Sequence, residues 1–245
     1  MKREIAKLLL IAVPLVLVSK PFAFAQSAAT VTEWNLPWPF GGVPQAIIAD
    51  NMGNVWFDQE AGVCAIGRLN PKTNAFTFWT VFPDPSFTRG GVALEFDTNG
   101  DVRHVWFTYG PAAGNIRRLD PNANPPQLLI YSTGTFATRL AVDSSGRVYF
   151  TEQNNNSIGR ITPSSNEFLR WSIPTANSFP QDVVIAPDGN VFFTEQGGNK
   201  IGKLDPTTNI LTEWQVPTSL SQPFHLSIDF LGHDPMLNST LAASD

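Results

Sequence analysis

Three carboxylates stand at related places in this chain. Glu152 and Glu195 each sit in a "TEQ" that follows an aromatic pair, and Glu60 ends "WFDQE" after another. Arg139, Asp182 and His225 each take the third position of a segment opening a new strand ("ATRL", "PQDV", "PFHL"), and Asn154 begins the polar run "NNN". Converging carboxylates and amides hold a hard divalent ion through oxygen. A Mg²⁺ or Ca²⁺ held that way polarises a carbonyl while an imidazole takes or gives a proton. The expected site is therefore Glu60, Glu152 and Glu195 on a metal, His225 as the acid–base group, and Arg139, Asp182 and Asn154 against a ligand. The plainer alternative makes these residues the lining of a wet polar funnel. In it the "TEQ" residues finish strands and bridge neighbouring units, and Arg139 pairs with Asp182.

Bringing residues so far apart in sequence together requires a repeat. "GRVYFTEQNNNSIGRITPSSNEFLRW" from Gly146 and "GNVFFTEQGGNKIGKLDPTTNILTEW" from Gly189 share twelve of 26 positions without a gap. The same pattern occurs four times. Its parts are a Gly turn ("NMGN", "TNGD", "SSGR", "PDGN") and an aromatic strand ("VWF", "VWF", "VYF", "VFF"). Then come "IGRL", "IRRL", "IGRI" or "IGKL", a Pro–Asn turn ("NPKTN", "DPNAN", "TPSSN", "DPTTN") and a last strand ending in Trp or Tyr. Gly supplies positive φ in the first turn and Pro presets φ in the second. Each unit reads as four short strands, apolar on both faces, so it buries itself only by stacking on copies of itself. The predicted fold is an all-β propeller of four complete blades plus a partial fifth. A loop face collects Glu60, Glu152, Glu195 and Asn154, and the blade-to-blade connections add Arg139, Asp182 and His225 nearest the axis. Only 15% of residues are charged, and 20 Pro with 18 Gly suit strands and turns rather than long helices.

The ends of the pattern are uneven. "TVTEWNLPWP" from Thr30 matches the last strand of a unit whose first three strands do not precede it, and "QPFHLSIDFLG" begins a unit. Residues 233–245 match no repeat on this reading, which leaves open blade edges that invite pairing with another copy. Residues 1–25 read as a cleavable secretory leader outside the fold: Lys2, Arg3 and Lys7, an apolar run from Leu8 to Val18, then Ala23 and Ala25 before the cut. The repeat domain is 26–232. The expected address is secreted or periplasmic, with no membrane span after cleavage. The leader carries +3, so the net charge of −5 becomes −8 on its removal, which disfavours nucleic acid as a partner. Cys64 is the one cysteine, so no internal disulfide forms.

"PDGNVFFTEQGGNKIGKLDPTTNILTEWQVPT" resembles the repeat of the virginiamycin B lyase (streptogramin lyase) family of seven-bladed propellers, and the resemblance runs from about Ala29 to Gly232. It implies a Mg²⁺-dependent C–O elimination that linearises a cyclic depsipeptide without hydrolysis. The family pattern carries a His in "PHGI"; here "PFHL" places His225 one position later, and Glu60 follows its "WF" in the first blade rather than a later one. Two functions are therefore expected. The first is a non-catalytic module binding a small molecule, glycan or protein at the funnel face. The alternative is the divalent-metal-dependent lyase.

Weaker signals point to structure. "DTNGD" from Asp97 opens like a calcium loop, but Thr108 stands where the bidentate Glu is needed, so a tight turn is expected. His104 and His233 have no partner legible in sequence. Asn155 and Asn238 lie in glycosylation sequons. Zinc-ligand spacing, a nucleophile elbow and a phosphate-binding Gly loop are not found.

Overall fold

The computed structural model describes residues 31–37, 44, 46–59, 64–82, 91–109 and 114–228, with the backbone of Lys7–Ile11. Its strands in chain order are β1 (Lys7–Ile11), β2 (Val31–Asn35), β3 (Ile47–Ala49), β4 (Val55–Gln59), β5 (Cys64–Asn70), β6 (Ala75–Phe82), β7 (Val92–Phe96), β8 (Val102–Tyr109) and β9 (Asn115–Asp120). There follow β10 (Gln127–Ser132), β11 (Leu140–Val142), β12 (Val148–Glu152), β13 (Ser157–Thr162), β14 (Glu167–Ser172), β15 (Pro180–Ile185), β16 (Val191–Glu195), β17 (Lys200–Asp205) and β18 (Ile210–Gln215). They form four antiparallel four-stranded meanders, β3–β6, β7–β10, β11–β14 and β15–β18, here called blades 1 to 4. The first strands of successive blades contact one another, so they form the inner wall and the fourth strands the rim.

The turns follow the chemistry of their residues. Gly53, Gly100, Gly146 and Gly189 take φ of 81°, 84°, 76° and 87° in the first turn of each blade, where a Cβ is costly. The last residue of the third turn is Asn74, Asn166 or Asn209, with φ of 57°, 55° and 60°; Asn tolerates this left-handed conformation better than most side chains.

Packing is between blades. One apolar cluster joins blades 1 and 2 through Trp56, Ile66, Leu94, Val105 and Phe107. A second joins blades 2 and 3 through Trp106, Ile116, Leu140 and Phe150, and a third joins blades 3 and 4 through Tyr149, Ile158, Val183, Phe193 and Leu204. The second strands lie deepest, with Phe57, Phe150 and Phe193 fully buried. Each of these rings lies over a glycine on the neighbouring strand (Gly67, Gly159, Gly202), where a Cβ would overlap it. That contact explains the Gly of "IGxL". Blade 2 has Arg117 opposite Phe107 instead.

β2 behaves as the outer strand of a blade preceding blade 1. Leu36 and Trp34 pack on the face formed by Val55, Phe57 and Leu69, and Trp34 Nε1 donates to Asn74 Oδ1 at 2.8 Å. The blade 3–blade 4 junction repeats this bond: Trp171 Nε1 donates to Asn209 Oδ1 at 2.8 Å. β1 pairs antiparallel with β2, Lys7 opposite Asn35 and Ile11 opposite Val31. An unpaired edge seeks hydrogen bonds, and the apolar run supplies them. No helix among the described residues is long and apolar enough to cross a membrane.

Candidate functional site at the inner strands

Every blade sets the start of its inner strand with one side chain. Ala46 N donates to Asp58 Oδ1 at 2.6 Å, Gly91 N to Thr108 Oγ1 at 2.9 Å, Arg139 N to Thr151 Oγ1 at 3.1 Å, and Asp182 N to Thr194 Oγ1 at 3.0 Å. A Thr hydroxyl both accepts and donates. Thr151 Oγ1 donates to Gln181 O at 3.0 Å and Thr194 Oγ1 to Phe224 O at 3.3 Å, each in the next blade's inner segment. Arg139, Asp182 and His225 are thus equivalent residues of successive inner segments, as the spacing predicts. The equivalent residue of blade 2 is Gly91, two positions before the third residue of "GVAL". A Cβ on Gly91 would come within 3.1 Å of the Arg139 backbone and 3.3 Å of its Cδ, so the missing side chain gives Arg139 its room.

Asp182 does not pair with Arg139. Its Oδ1 accepts from Val183 N at 3.0 Å and its Oδ2 from Leu226 N at 3.0 Å, while His225 Nδ1 lies 3.4 Å from the same Oδ2. The carboxylate therefore fixes the next inner segment and orients the imidazole. The His225 side chain is 49% exposed and that of Asp182 only 16%. Phe224 sets its ring edge-on to His225 at 4.8 Å.

The carboxylates expected on a metal are used elsewhere. Glu152 is fully buried. Arg170 donates to both its oxygens, at 2.5 and 2.9 Å, Ser157 Oγ donates to Oε2 at 2.7 Å, and Thr135 Oγ1 bonds Oε1. Glu195 takes the equivalent position in blade 4, fully buried, with neither oxygen hydrogen-bonded. Burial, then the nearby Glu213 carboxylate, push its carboxyl up to about 7, against a smaller opposing pull from Lys200. Burial also works against the charge of Glu213. Hydrogen bonds from Thr175 N (2.9 Å), Lys200 Nζ (3.0 Å) and Thr175 Oγ1 (2.9 Å) outweigh that and hold it below the usual carboxylate range. Strand register puts Gln59, opposite Ala65, at the place of Glu152 and Glu195. Glu60 is thus one residue past the equivalence and lies outside the described residues.

Among the described residues no group of three or more His, Cys, Asp or Glu is placed to hold a metal ion. Glu152 and Glu195 are enclosed inside their blades, so they do not fit a Mg²⁺ at the channel.

Asn154 is exposed on its turn. The asparagine with structural work is Asn156, a residue missed in sequence because it is the last of three. Its amide donates to Ile173 O and Thr175 O, and its Oδ1 accepts from Ser178 N and Oγ. Asn199 repeats the clamp on Val216 O, Thr218 O, Ser221 Oγ and Gln222 N. These clamps hold the connections in unusual conformations: Phe179, Leu220 and Gln222 have φ of 47°, 58° and 48°. Left-handed backbone costs a side-chain-bearing residue about 1–2 kcal/mol, and such residues cluster at ligand sites. Phe179 is 51% exposed and Leu220 85%. Leu220 borders a cleft of about 500 Å³ whose other walls are Gln196, Thr218, Ser219, Ser221, Gln222 and Phe224. Its walls carry no charge.

On the opposite face the "DTNGD" segment is a tight turn, Asp97 Oδ1 accepting from Asn99 N and Asp101 N. His104 has a partner after all: its Nδ1 lies 3.0 Å from Glu95 Oε2, which also accepts from Trp106 Nε1 at 2.7 Å. Asp50 holds Trp56 the same way in blade 1.

Stacked four-stranded meanders around an inner wall, with an open polar face, define a β-propeller. The profile of the virginiamycin B lyase family matches residues 22–233, and the chain belongs to that family. Among solved structures, selenomethionine-substituted virginiamycin B lyase from Staphylococcus aureus superposes with a TM-score of 0.68 at 24% identity, covering 83% of this chain and 66% of that one. A catalytically inactive histidine-to-alanine variant of the Staphylococcus aureus lyase, with quinupristin, gives 0.66 at 28% identity, covering 82% and 64%. A chain of a nidogen/laminin complex gives 0.63 at 16%, covering 90% and 81%, a likeness of fold alone. The chain thus spans just under two thirds of the length of these two lyases. A search of curated proteins finds no match.

Proposed function

We propose that this chain is an exported ligand-binding propeller that receives its ligand at the inner-strand face, between the ring of Arg139, Asp182 and His225 and the rim of Phe179 and Leu220. The observation that carries this reading is the division of labour among the acidic groups. Glu152 and Glu195 are enclosed inside their blades and Asp182 is committed to Leu226 N and His225, while Arg139, His225 and the rim remain open to a ligand. Export rests on the leader's basic start, apolar run and small residues before Gln26.

Family membership and the His225–Asp182 contact favour a second reading. An exposed imidazole oriented by a carboxylate is suited to moving a proton, so lyase chemistry with His225 as the acid–base group is retained as the alternative.

Quinupristin is the first ligand to test, because a structural relative is bound to it. Calorimetric titration and mass spectrometry of the product separate the readings. The binding reading expects saturable affinity that persists under chelation, falls in Arg139→Ala and Phe179→Ala, and yields no ring-opened product. Ring opening that requires divalent metal and disappears in His225→Ala establishes the lyase instead. The absence of saturable binding defeats both for this ligand class.

A further inference from the structure

One positive charge on the inner-strand face is left unanswered. Elsewhere the arginines are matched: Arg103 lies 3.9 Å from Glu95, Arg147 2.6 Å from Asp143 and Arg160 2.7 Å from Glu167, and Arg170 grips Glu152. Arg68 and Arg118 stand over the rings of Trp56 and Trp106 at 5.4 and 5.6 Å. The backbone N–H of Arg139 is taken by Thr151. Its guanidinium meets no acid, no ring and no hydrogen-bond acceptor among the described residues.

The surroundings do not supply the missing charge. The turns 153–156 and 196–199 and the connections 133–138, 173–179 and 216–222 contain no ionisable side chain. Asp182, the equivalent residue of the next blade, gives Oδ1 to Val183 N and Oδ2 to Leu226 N and His225. Arg139 is nevertheless half-buried, and its stem lies against Gly91, where a Cβ would come within 3.3 Å of its Cδ. A guanidinium so placed has given up part of its hydration without gaining a partner, which is unfavourable until one arrives.

We infer that Arg139 receives the carboxylate of a ligand that carries a single negative charge on an otherwise uncharged body. The inference rests on the binding reading above and adds the charge of the ligand to it. A planar guanidinium donates two parallel N–H bonds to a carboxylate. One cation, standing in a ring that also holds the Asp182 carboxylate, balances one negative charge rather than the roughly 1.5 to 2 of a phosphate monoester at pH 7. The uncharged cleft of Gln196, Thr218, Ser219 and Gln222, with exposed Phe179 and Leu220, suits a neutral body.

The test uses the full chain and two compounds of one shape, N-acetyl-L-phenylalanine and N-acetyl-L-phenylalaninamide, titrated by NMR. The Arg139 Nε–H signal, assigned by its loss in Arg139→Lys, and the His225 ring signals are the readouts. The inference expects the acid to bind at least tenfold more tightly than the amide and to move the Arg139 signal. Arg139→Gln, which keeps the length of the stem, brings the acid down to the level of the amide, and Arg139→Lys keeps part of the preference. Equal binding of acid and amide, or a preference for the acid that survives in Arg139→Gln, overturns the inference and leaves the binding reading standing. Inorganic phosphate displacing the acid at a lower concentration than acetate does overturns the choice of a carboxylate. Neither compound moving any signal of the face counts against the binding reading, and the inference falls with it.

Discussion

Replacing Glu195 by Gln should make the protein more stable at high pH and change it little at low pH. The carboxyl is buried without a hydrogen-bond partner, and burial, then Glu213, raise its pKa from 4.5 to about 7. The native state therefore holds a proton that the unfolded chain has released between those values. Stability falls as pH rises through that window, because the unfolded state binds fewer protons there. One pKa unit corresponds to 1.36 kcal/mol, so complete ionisation of Glu195 removes about 3 kcal/mol, an upper value because Lys200 can turn toward the new charge. Gln has nearly the same shape and no charge to release. Urea unfolding of parent and Glu195→Gln, repeated from pH 4 to pH 8.5, isolates the effect because other titrating groups cancel in the difference. The curves should converge near pH 4, draw apart between pH 4.5 and about 7, and stay apart above that with Glu195→Gln the more stable. Parallel curves across the window would refute the claim that this carboxyl is held protonated.

Glu152→Gln should act in the opposite direction at neutral pH. It removes the charge that Arg170 grips from a fully buried position, at a loss of roughly 2 kcal/mol, read from the urea midpoint at pH 7. Gly202→Ala places a methyl group inside the Phe193 ring, and overpacking of this kind costs about 1–3 kcal/mol; a Gly202→Ala/Phe193→Leu chain should recover part of the lost midpoint. Thr194→Val keeps the shape but cuts both the Asp182 N and Phe224 O bonds. Its stability should drop by about 1–2 kcal/mol, and the histidine NMR signals of His225 should broaden as its segment loosens.

The fold was legible because one pattern recurs with turn chemistry at each corner, and stacking is the way such a unit hides two apolar faces. The equivalence of Arg139, Asp182 and His225 followed from the same alignment. Side-chain direction was less legible. "TEQ" places Thr and Glu on opposite faces of a strand, because neighbours alternate. Thr151 and Thr194 therefore bridge inner segments while Glu152 and Glu195 turn into their blades. Which neighbour meets each Glu depends on the fourth strand, where Arg170 in one blade is replaced by Glu213 in the next, and that contrast carries no local signature. Glu60 was read one residue out of register because "WFDQE" offers a Glu near the expected place and hides Gln59, the true counterpart. The partner of His104 was missed because Glu95 belongs to the adjacent strand.

The Asn156 and Asn199 clamps have a mechanical consequence. Each ties the end of one blade to the entry of the next through side-chain bonds, and the two stand 43 residues apart. Tension applied to the two ends of the chain passes through these joins in series, so each carries the full load rather than a share of it. Once a clamp gives way, the released unit pays out about 150 Å of chain before the next is strained. An arc held in this way yields in discrete steps set by the repeat length, and the weakest clamp decides where it first opens.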